Sequence, residues 1–176
     1  MEKQADWIMD IDDDEEEDAM ANRYLLFHVA KEDYGIGIEH VIEIIGLQKV
    51  TEVPDLPKFI KGVINLRGQV IPVIDIRLRF GIEPKAYTDR TCVIVVRLRD
   101  MNIGIIVDGM AEVQEIAEES ISPPSDIQQS AANRYIYGLG RVGEEVKIIL
   151  DVEKLLFAEE VAMLAQSAED KMGEIQ

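Results

Sequence analysis

Between residues 22 and 157 the chain runs as short apolar segments separated by polar breaks, with the length and β-branched bias of strands rather than helices. Tyr24 to Val29 reads as a strand, Lys31-Glu32-Asp33 as a turn, and Tyr34 to Ile38 as a returning strand. Glu39 to Ile45 mixes apolar and polar residues and fits either a helical turn or a strand, while Lys49 to Val53 reads as a short strand. Pro54 and Pro57 then interrupt regular structure. The stretch Gly62 to Asp75 places two apolar runs around Arg67-Gly68, the pattern of a β-hairpin whose Gly supplies a positive φ. Asp75 can cap a helical turn that Gly81 closes. Residues 81–90 turn polar and read as a linker. Strands follow at Cys92 to Arg97, Ile103 to Val107 and Val113 to Ile116, then a polar loop over 120–133. Strands at Tyr135 to Tyr137 and Val146 to Leu150 come next, and a helix is expected from Asp151 through Ala168, frayed after Gln166.

The pattern occurs twice. A shift of 76 places Phe59-Ile60 on Tyr135-Ile136, Gly62 on Gly138, Val70 on Val146, and Val73-Ile74-Asp75-Ile76 on Ile149-Leu150-Asp151-Val152. A shift of 69 places Leu25-Leu26-Phe27 on Ile94-Val95-Val96, Gly35 on Gly104, Glu39 on Asp108 and Glu43-Ile44 on Glu112-Val113. Two homologous units of about 22–80 and 91–157 are expected, each of roughly five strands and a capped turn. Units of about 60 residues bury little core alone. They must pack on each other or exchange strands, and small barrels would remove their exposed edges.

Charge separates the tails from the folded part. The chain has 18 Lys plus Arg against 35 Asp plus Glu, a net charge of −17. Residues 1–22 hold ten acids and one Lys, residues 158–176 five acids and one Lys, leaving 16 basic against 20 acidic residues between them. Residues 1–21 are therefore expected to be a disordered acidic tail, with Trp7 in a small apolar island. Such a balance disfavours nucleic acid and anionic membranes as partners. No apolar run approaches the ~20 residues of a membrane span, and no signal peptide is visible, so a cytoplasmic protein is expected.

Motifs for chemistry are few. Gly138 to Gly143 matches G-x-G-x-x-G, but it leads into another strand with Glu144 and Glu145 where phosphate would sit, so a hairpin turn is favoured over a nucleotide-binding enzyme. His28 and His40 have no metal-ligand spacing, and the lone Cys92 lies in an apolar run as a small buried hydrophobe. Asp75 and Asp151 read as matched helix caps rather than an acid–base pair. No enzyme, cofactor or metal is expected. A generic SH3-like peptide binder would need clustered aromatics, and only 6% of the chain is aromatic. Arg67, at the hairpin tip, could pair with a carboxylate or be a solvated turn residue. Val41 and Glu43 fit either a core edge or a docking surface.

The segments Tyr34-Gly35-Ile36, Val41-x-Glu43-Ile44, Pro57-x-Phe59-Ile60-Lys61-Gly62-Val63-Ile64-Asn65-Leu66-Arg67-Gly68 and Pro72-Val73-Ile74-Asp75 resemble the bacterial chemotaxis coupling proteins of the CheW family. So do Gly104 to Gly109 and Ile136-x-Gly138 through Leu156. The resemblance covers about 22–160, leaving 161–176 as the helix end and an acidic tail. It implies a mainly β fold of two packed SH3-like five-stranded β-barrels. It also implies an adaptor, monomeric alone, between the tips of methyl-accepting chemoreceptors and the regulatory domain of the chemotaxis histidine kinase. The implied receptor-binding positions are Val41, Glu43, Asn65, Arg67 and Val113, with Gly62 and Gly68 shaping the backbone beside them. The protein would be cytoplasmic, recruited to membrane-bound receptor arrays without inserting in the membrane. The sequence has no room for the kinase's ATP-binding or phosphotransfer domains, nor for the receiver domain of a variant adaptor.

Overall fold

The computed structural model describes residues 21–124 and 135–156. The expected acidic tail with Trp7, most of the 120–133 loop and the helix beyond Leu156 lie outside the described residues. Strands are β1 (Arg23–Val29), β2 (Glu32–Gly37), β3 (Val41–Gly46), β4 (Ile60–Leu66), β5 (Gln69–Asp75), β6 (Cys92–Leu98), β7 (Met101–Val107), β8 (Gly109–Glu115), β9 (Ile121–Ser122), β10 (Ile136–Val142) and β11 (Glu145–Leu150). Short helices α1 (Ile76–Arg79) and α2 (Val152–Leu156) follow the β4–β5 and β10–β11 hairpins. The ambiguous 39–45 stretch is both things in turn: a 3-10 turn over Ile38–His40, then β3. The strand expected over 49–53 is reduced to a single bridge between Thr51 and Val63, because the chain only crosses β4 there.

Two sheets result, ordered β8-β1-β2-β11-β10-β9 and β3-β6-β7-β5-β4. Each mixes both halves of the sequence. The first two strands of one half join the later strands of the other, so the repeat units exchange strands reciprocally. Two parallel seams carry the exchange. In one, Val73 and Ile74 of β5 pair with Gly104 and Ile105 of β7. In the other, Ile148 and Ile149 of β11 pair with Tyr34 and Gly35 of β2. Shifting Val73 by 76 and Gly104 by 69 converts one seam into the other. These are the two packed barrels of a mainly β fold, with β9 as a short sixth strand in the first sheet.

Strand periodicity explains the continuous apolar runs. Along β6, Cys92, Ile94, Val96 and Leu98 enter a core that also holds Leu25, Phe27, Val29 and Ile36 of the other sheet. The alternate residues Val93 and Val95 fill a second core with Ile64, Ile71, Val73 and Ile106. One face of β6 thus fills its own barrel and the other packs on the neighbouring sheet, leaving Arg97 as its single exposed residue. Phe27, Tyr34, Phe80 and Tyr135 form a chain of ring contacts 5.2–6.1 Å apart within this packing, which places several of the few aromatics inside rather than on a surface groove.

The matched residues keep matched jobs. Gly62 lies at a bulge in β4 with φ +145, and a Cβ there would sit 2.1 Å from the Thr51 carbonyl oxygen. Gly138 lies at the corresponding bulge of β10, where a Cβ would come 2.7 Å from the Ser122 carbonyl oxygen. Asp75 accepts from the Arg77 N–H at 2.9 Å and Asp151 from the Lys154 N–H at 3.1 Å, so both act as caps. Gly81 follows α1 in the left-handed conformation, φ +73, and its N–H donates to the Leu78 carbonyl. The 138–143 glycines run along β10 into a hairpin turn at Gly143, φ +62, as the sequence context indicates.

Polar ties lock the halves together. Arg77 donates through Nε and Nη2 to the Asp108 carboxylate at 2.7–3.0 Å, and Asp108 also accepts from the Ala30 N–H at 2.8 Å. Lys147, buried on β11, reaches Asp33 of β2 at 2.5 Å and Glu145 at 2.6 Å. Arg79 lies over the matched rings of Phe59 and Tyr135, 4.0 and 4.9 Å from their centroids, and donates to the Leu155 carbonyl.

Two outcomes are expected from this packing. Gly104→Ala would drive a Cβ to 2.7 Å from both Val73 Cγ1 and Val93 Cγ1, an overpacking cost of about 1–3 kcal/mol. Gly46→Ala meets nothing within 4 Å and should be nearly neutral; urea unfolding midpoints compare the two. The second outcome concerns pH. Burial raises the Asp108 pKa, but the hydrogen bonds from Arg77 and Ala30 outweigh it, and the net value lies below the ordinary carboxylate range. A depressed carboxylate stabilises the fold above its unfolded pKa, about 3.9, and that contribution is lost as pH falls through the folded value. Thermal melts should show the gap between the native chain and Asp108→Asn closing as pH drops below about 4.

Candidate functional site

The β4–β5 hairpin is closed by the two-residue turn Arg67-Gly68, between the paired residues Leu66 and Gln69. Both turn residues have positive φ, 51° and 85°, the signature of a type I′ turn. Gly68 meets that demand freely, but Arg67 does not, since a left-handed L-residue costs about 1–2 kcal/mol. The equivalent turn in the other half uses Gly143 at this position. Asn65 steadies the tip by accepting the Gly68 N–H on Oδ1 at 2.9 Å.

The Arg67 guanidinium forms an ion pair with the Glu43 carboxylate of β3. β3 and β4 are the two outer strands of the five-stranded sheet, so this pair, with the Thr51–Val63 bridge, spans the barrel's closing gap. Arg67 remains 71% exposed and Glu43 27%. The Glu43 hydrogen bond and charge hold the guanidinium pKa above its already high ordinary value, so Arg67 is a permanent cation.

The seven residues singled out from the sequence fall into two groups with Gly62 beneath them. Glu43, Asn65, Arg67 and Gly68 gather at the hairpin tip. Val41 and Val113 lie elsewhere, on the face between the sheets. Val41 pairs with Val96 and Val113 with Leu25, and directly opposed strand residues point to the same face. Val96 and Leu25 both belong to the core shared by the sheets. Val41 packs partly against that core, while Val113, on the outer strand β8, stays 51% exposed. Gly62 is buried and serves the bulge rather than the surface. Regular alternation would put residues two apart on one face; the bulge between Val41 and Glu43 makes the split, so that Glu43 pairs with Val95, which faces the barrel interior, whereas Val41 faces the neighbouring sheet.

One surface residue belongs with Val113 and was not singled out. Ile44 pairs with Ile94 of the shared core and is 43% exposed. The shift of 69 that places Glu43-Ile44 on Glu112-Val113 carries the signal, because it makes Ile44 the counterpart of Val113. The two outer strands therefore each present one exposed β-branched residue toward the inter-sheet face.

Among the described residues no group of three or more His, Cys, Asp and Glu side chains is arranged to hold a metal ion. His28 is paired with Asp33, and Cys92 is buried, which pushes its thiol pKa up. Among the described residues no helix is long and apolar enough to cross a membrane. The hairpin tip thus presents a cation with its carboxylate partner, and separately two outer strands carry exposed apolar residues.

A family model described as CheW-like domain matches residues 23–160. The chain is 40% identical over 147 residues to the chemotaxis protein CheW of Klebsiella aerogenes, covering 84% of this chain and 89% of that protein. It is 31% identical over 143 residues to the chemotaxis protein CheW of Treponema pallidum, covering 79% and 84% respectively. The crystal structure of the scaffolding protein TtCheW from Thermoanaerobacter tengcongensis matches with a TM-score of 0.71 at 34% identity, over 77% of this chain and 92% of that one. With nearly every described residue inside the matched region, the chain belongs to the CheW-like domain family, a family of chemotaxis scaffolds.

Proposed function

We propose that the protein is a cytoplasmic, non-enzymatic adaptor that couples methyl-accepting chemoreceptors to the chemotaxis histidine kinase. The observation that carries this reading is Arg67, held with φ 51° where the other half of the chain has a glycine. Asn22, Ala30, Asp55 and Arg99 take positive φ too, but Arg67 is the one whose counterpart in the other half is glycine, and strain kept where a relaxed alternative exists suggests a use for the side chain. The receptor tip, a helical hairpin, would lay its apolar stripe along Val41, Ile44 and Val113. Its polar groups would meet Arg67, Glu43 and Asn65, the helix-in-groove mode of recognition. Gly62 and Gly68 hold the backbone that presents them. The kinase's regulatory domain would dock barrel to barrel on exposed apolar residues, of which Ile42, Tyr137 and Val146 are exposed by 44–53%.

Binding of a receptor cytoplasmic fragment to the full chain tests the assignment. Arg67→Glu should weaken it about tenfold or more, because a charge-assisted contact is replaced by repulsion. Its thermal stability should change little, as expected for a surface position. Arg67→Gly should also bind weakly while folding at least as well, since it relieves the left-handed strain. Native affinity in both folded variants would refute the site. Failure of the unaltered chain to bind either a receptor fragment or the kinase regulatory domain would refute the function.

A further inference from the structure

A separate cleft of about 320 Å³ opens on the opposite face of the first sheet, where β2 hands over to the 3-10 turn. Tyr24, Glu39, His40, Tyr137, Asp151 and Glu153 line it. Tyr24 neighbours Leu25 on β1, and Leu25 enters the core between the sheets, so strand alternation points Tyr24 away from the groove that holds Val113. None of Val41, Glu43, Ile44, Asn65, Arg67 and Val113 lines the cleft. The volume is that of a small-ligand or side-chain pocket.

Its chemistry is one-sided. Three carboxylates and two phenol rings line it, with His40 the only basic group among the lining residues. Two carboxylates are already engaged: Asp151 caps α2, and Glu153 accepts from the Arg99 Nε–H at 3.2 Å. Glu39 is the more open one; its side chain is 57% exposed, its Oε1 is 3.5 Å from His40 Nε2, and its carboxylate lies over Gly37, which has no Cβ to displace it. Tyr137 is 51% exposed on the rim. The Tyr24 phenol is held above its usual range, first by burial, then by coupling to the neighbouring Tyr137 phenol and by the Glu39 and Glu118 carboxylates. Phosphates and carboxylate ligands are repelled by such a site.

We propose that this cleft receives an arginine side chain from a partner polypeptide, its guanidinium stacked on the tyrosine rings and hydrogen-bonded to the Glu39 carboxylate. Arginine fits better than lysine because its planar fork can stack on an aromatic face and bond a carboxylate in two places at once. The protein already stacks a guanidinium on aromatic rings internally, where Arg79 lies over Phe59 and Tyr135 and donates to the Leu155 carbonyl. The partner segment is basic, and its binding is independent of Arg67.

The test uses the full chain labelled at its tyrosine rings, titrated by NMR with a blocked Gly-Arg-Gly peptide and with the same peptide carrying neutral citrulline. The arginine peptide should produce saturable shifts at Tyr24 and Tyr137, and the citrulline peptide should bind about tenfold more weakly. Glu39→Gln should weaken the arginine peptide by a similar factor, and Tyr137→Ser provides a second variant at an exposed position should Glu39→Gln disturb the fold. Arg67→Glu should leave the titration unchanged, which separates this site from the receptor surface. Equal binding of the two peptides, or no saturable shift at either tyrosine, would overturn the proposal, as would native binding in both cleft variants.

Discussion

The structure depends on one constraint: neither half of the chain can complete a barrel from its own strands. The parallel seams β5–β7 and β2–β11 join halves, and both are lined by residues that the repeat makes equivalent. Gly104 lies where Val73 and Val93 approach, and Gly35 where Leu26 and Ile149 approach, so the barrels close around the same small residue twice. Reciprocal exchange solves the problem of a unit too small to bury a core alone. It also buries β6 on both faces from Cys92 to Val96, which accounts for that run being apolar throughout, with Arg97 the exposed residue beyond it. Arg77–Asp108, Lys147–Asp33 and Arg79 over Phe59 and Tyr135 then fasten the exchanged parts by directional contacts.

Exchange also places the strands that carry the exposed apolar residues. β3 and β8, the third strands of the two halves, end up as outer strands of different sheets, each paired to the first strand of the other half. Outer strands with exposed apolar residues are aggregation hazards unless something covers them. Among the described residues the large exposed ones on these two strands are Ile42 and Ile44 of β3 and Val113 of β8, of which Ile44 and Val113 hold matched positions. The hairpin tips break the symmetry. One ends in Gly143-Glu144, relaxed, and the other in Arg67-Gly68, with a strained arginine tied to Glu43. The scaffold is duplicated and the tip is specialised.

Much of this was legible in the sequence. The strand pattern, the hairpin, the caps at Asp75 and Asp151 and the repeat all rest on local rules, and local rules hold wherever burial and backbone geometry agree. Gly62 and Gly138 at matched offsets pointed to matched backbone, and both turn out to sit at bulges where a carbonyl oxygen crosses. What could not be read was which half a strand pairs with, since an apolar run looks the same in either barrel. The segment 49–53 misled because its β-branched residues have only one crossing partner, Val63. Val41 and Glu43 stand two apart, the spacing of one strand face, yet the bulge between them sends them to different faces, and nothing in the sequence marks that bulge. The left-handed φ of Arg67 is invisible in the sequence except by comparison with Gly143, and that comparison is available only once the repeat is aligned.

The central claim, that each half supplies strands the other requires, is tested most directly by producing residues 1–90 and 91–176 as separate chains. Neither fragment alone should give dispersed amide NMR signals or a cooperative melt. Mixed at equal concentration, they should yield a one-to-one complex with the spectrum of the intact protein. A fragment that folds alone into a stable barrel, unaffected by the other, would contradict it.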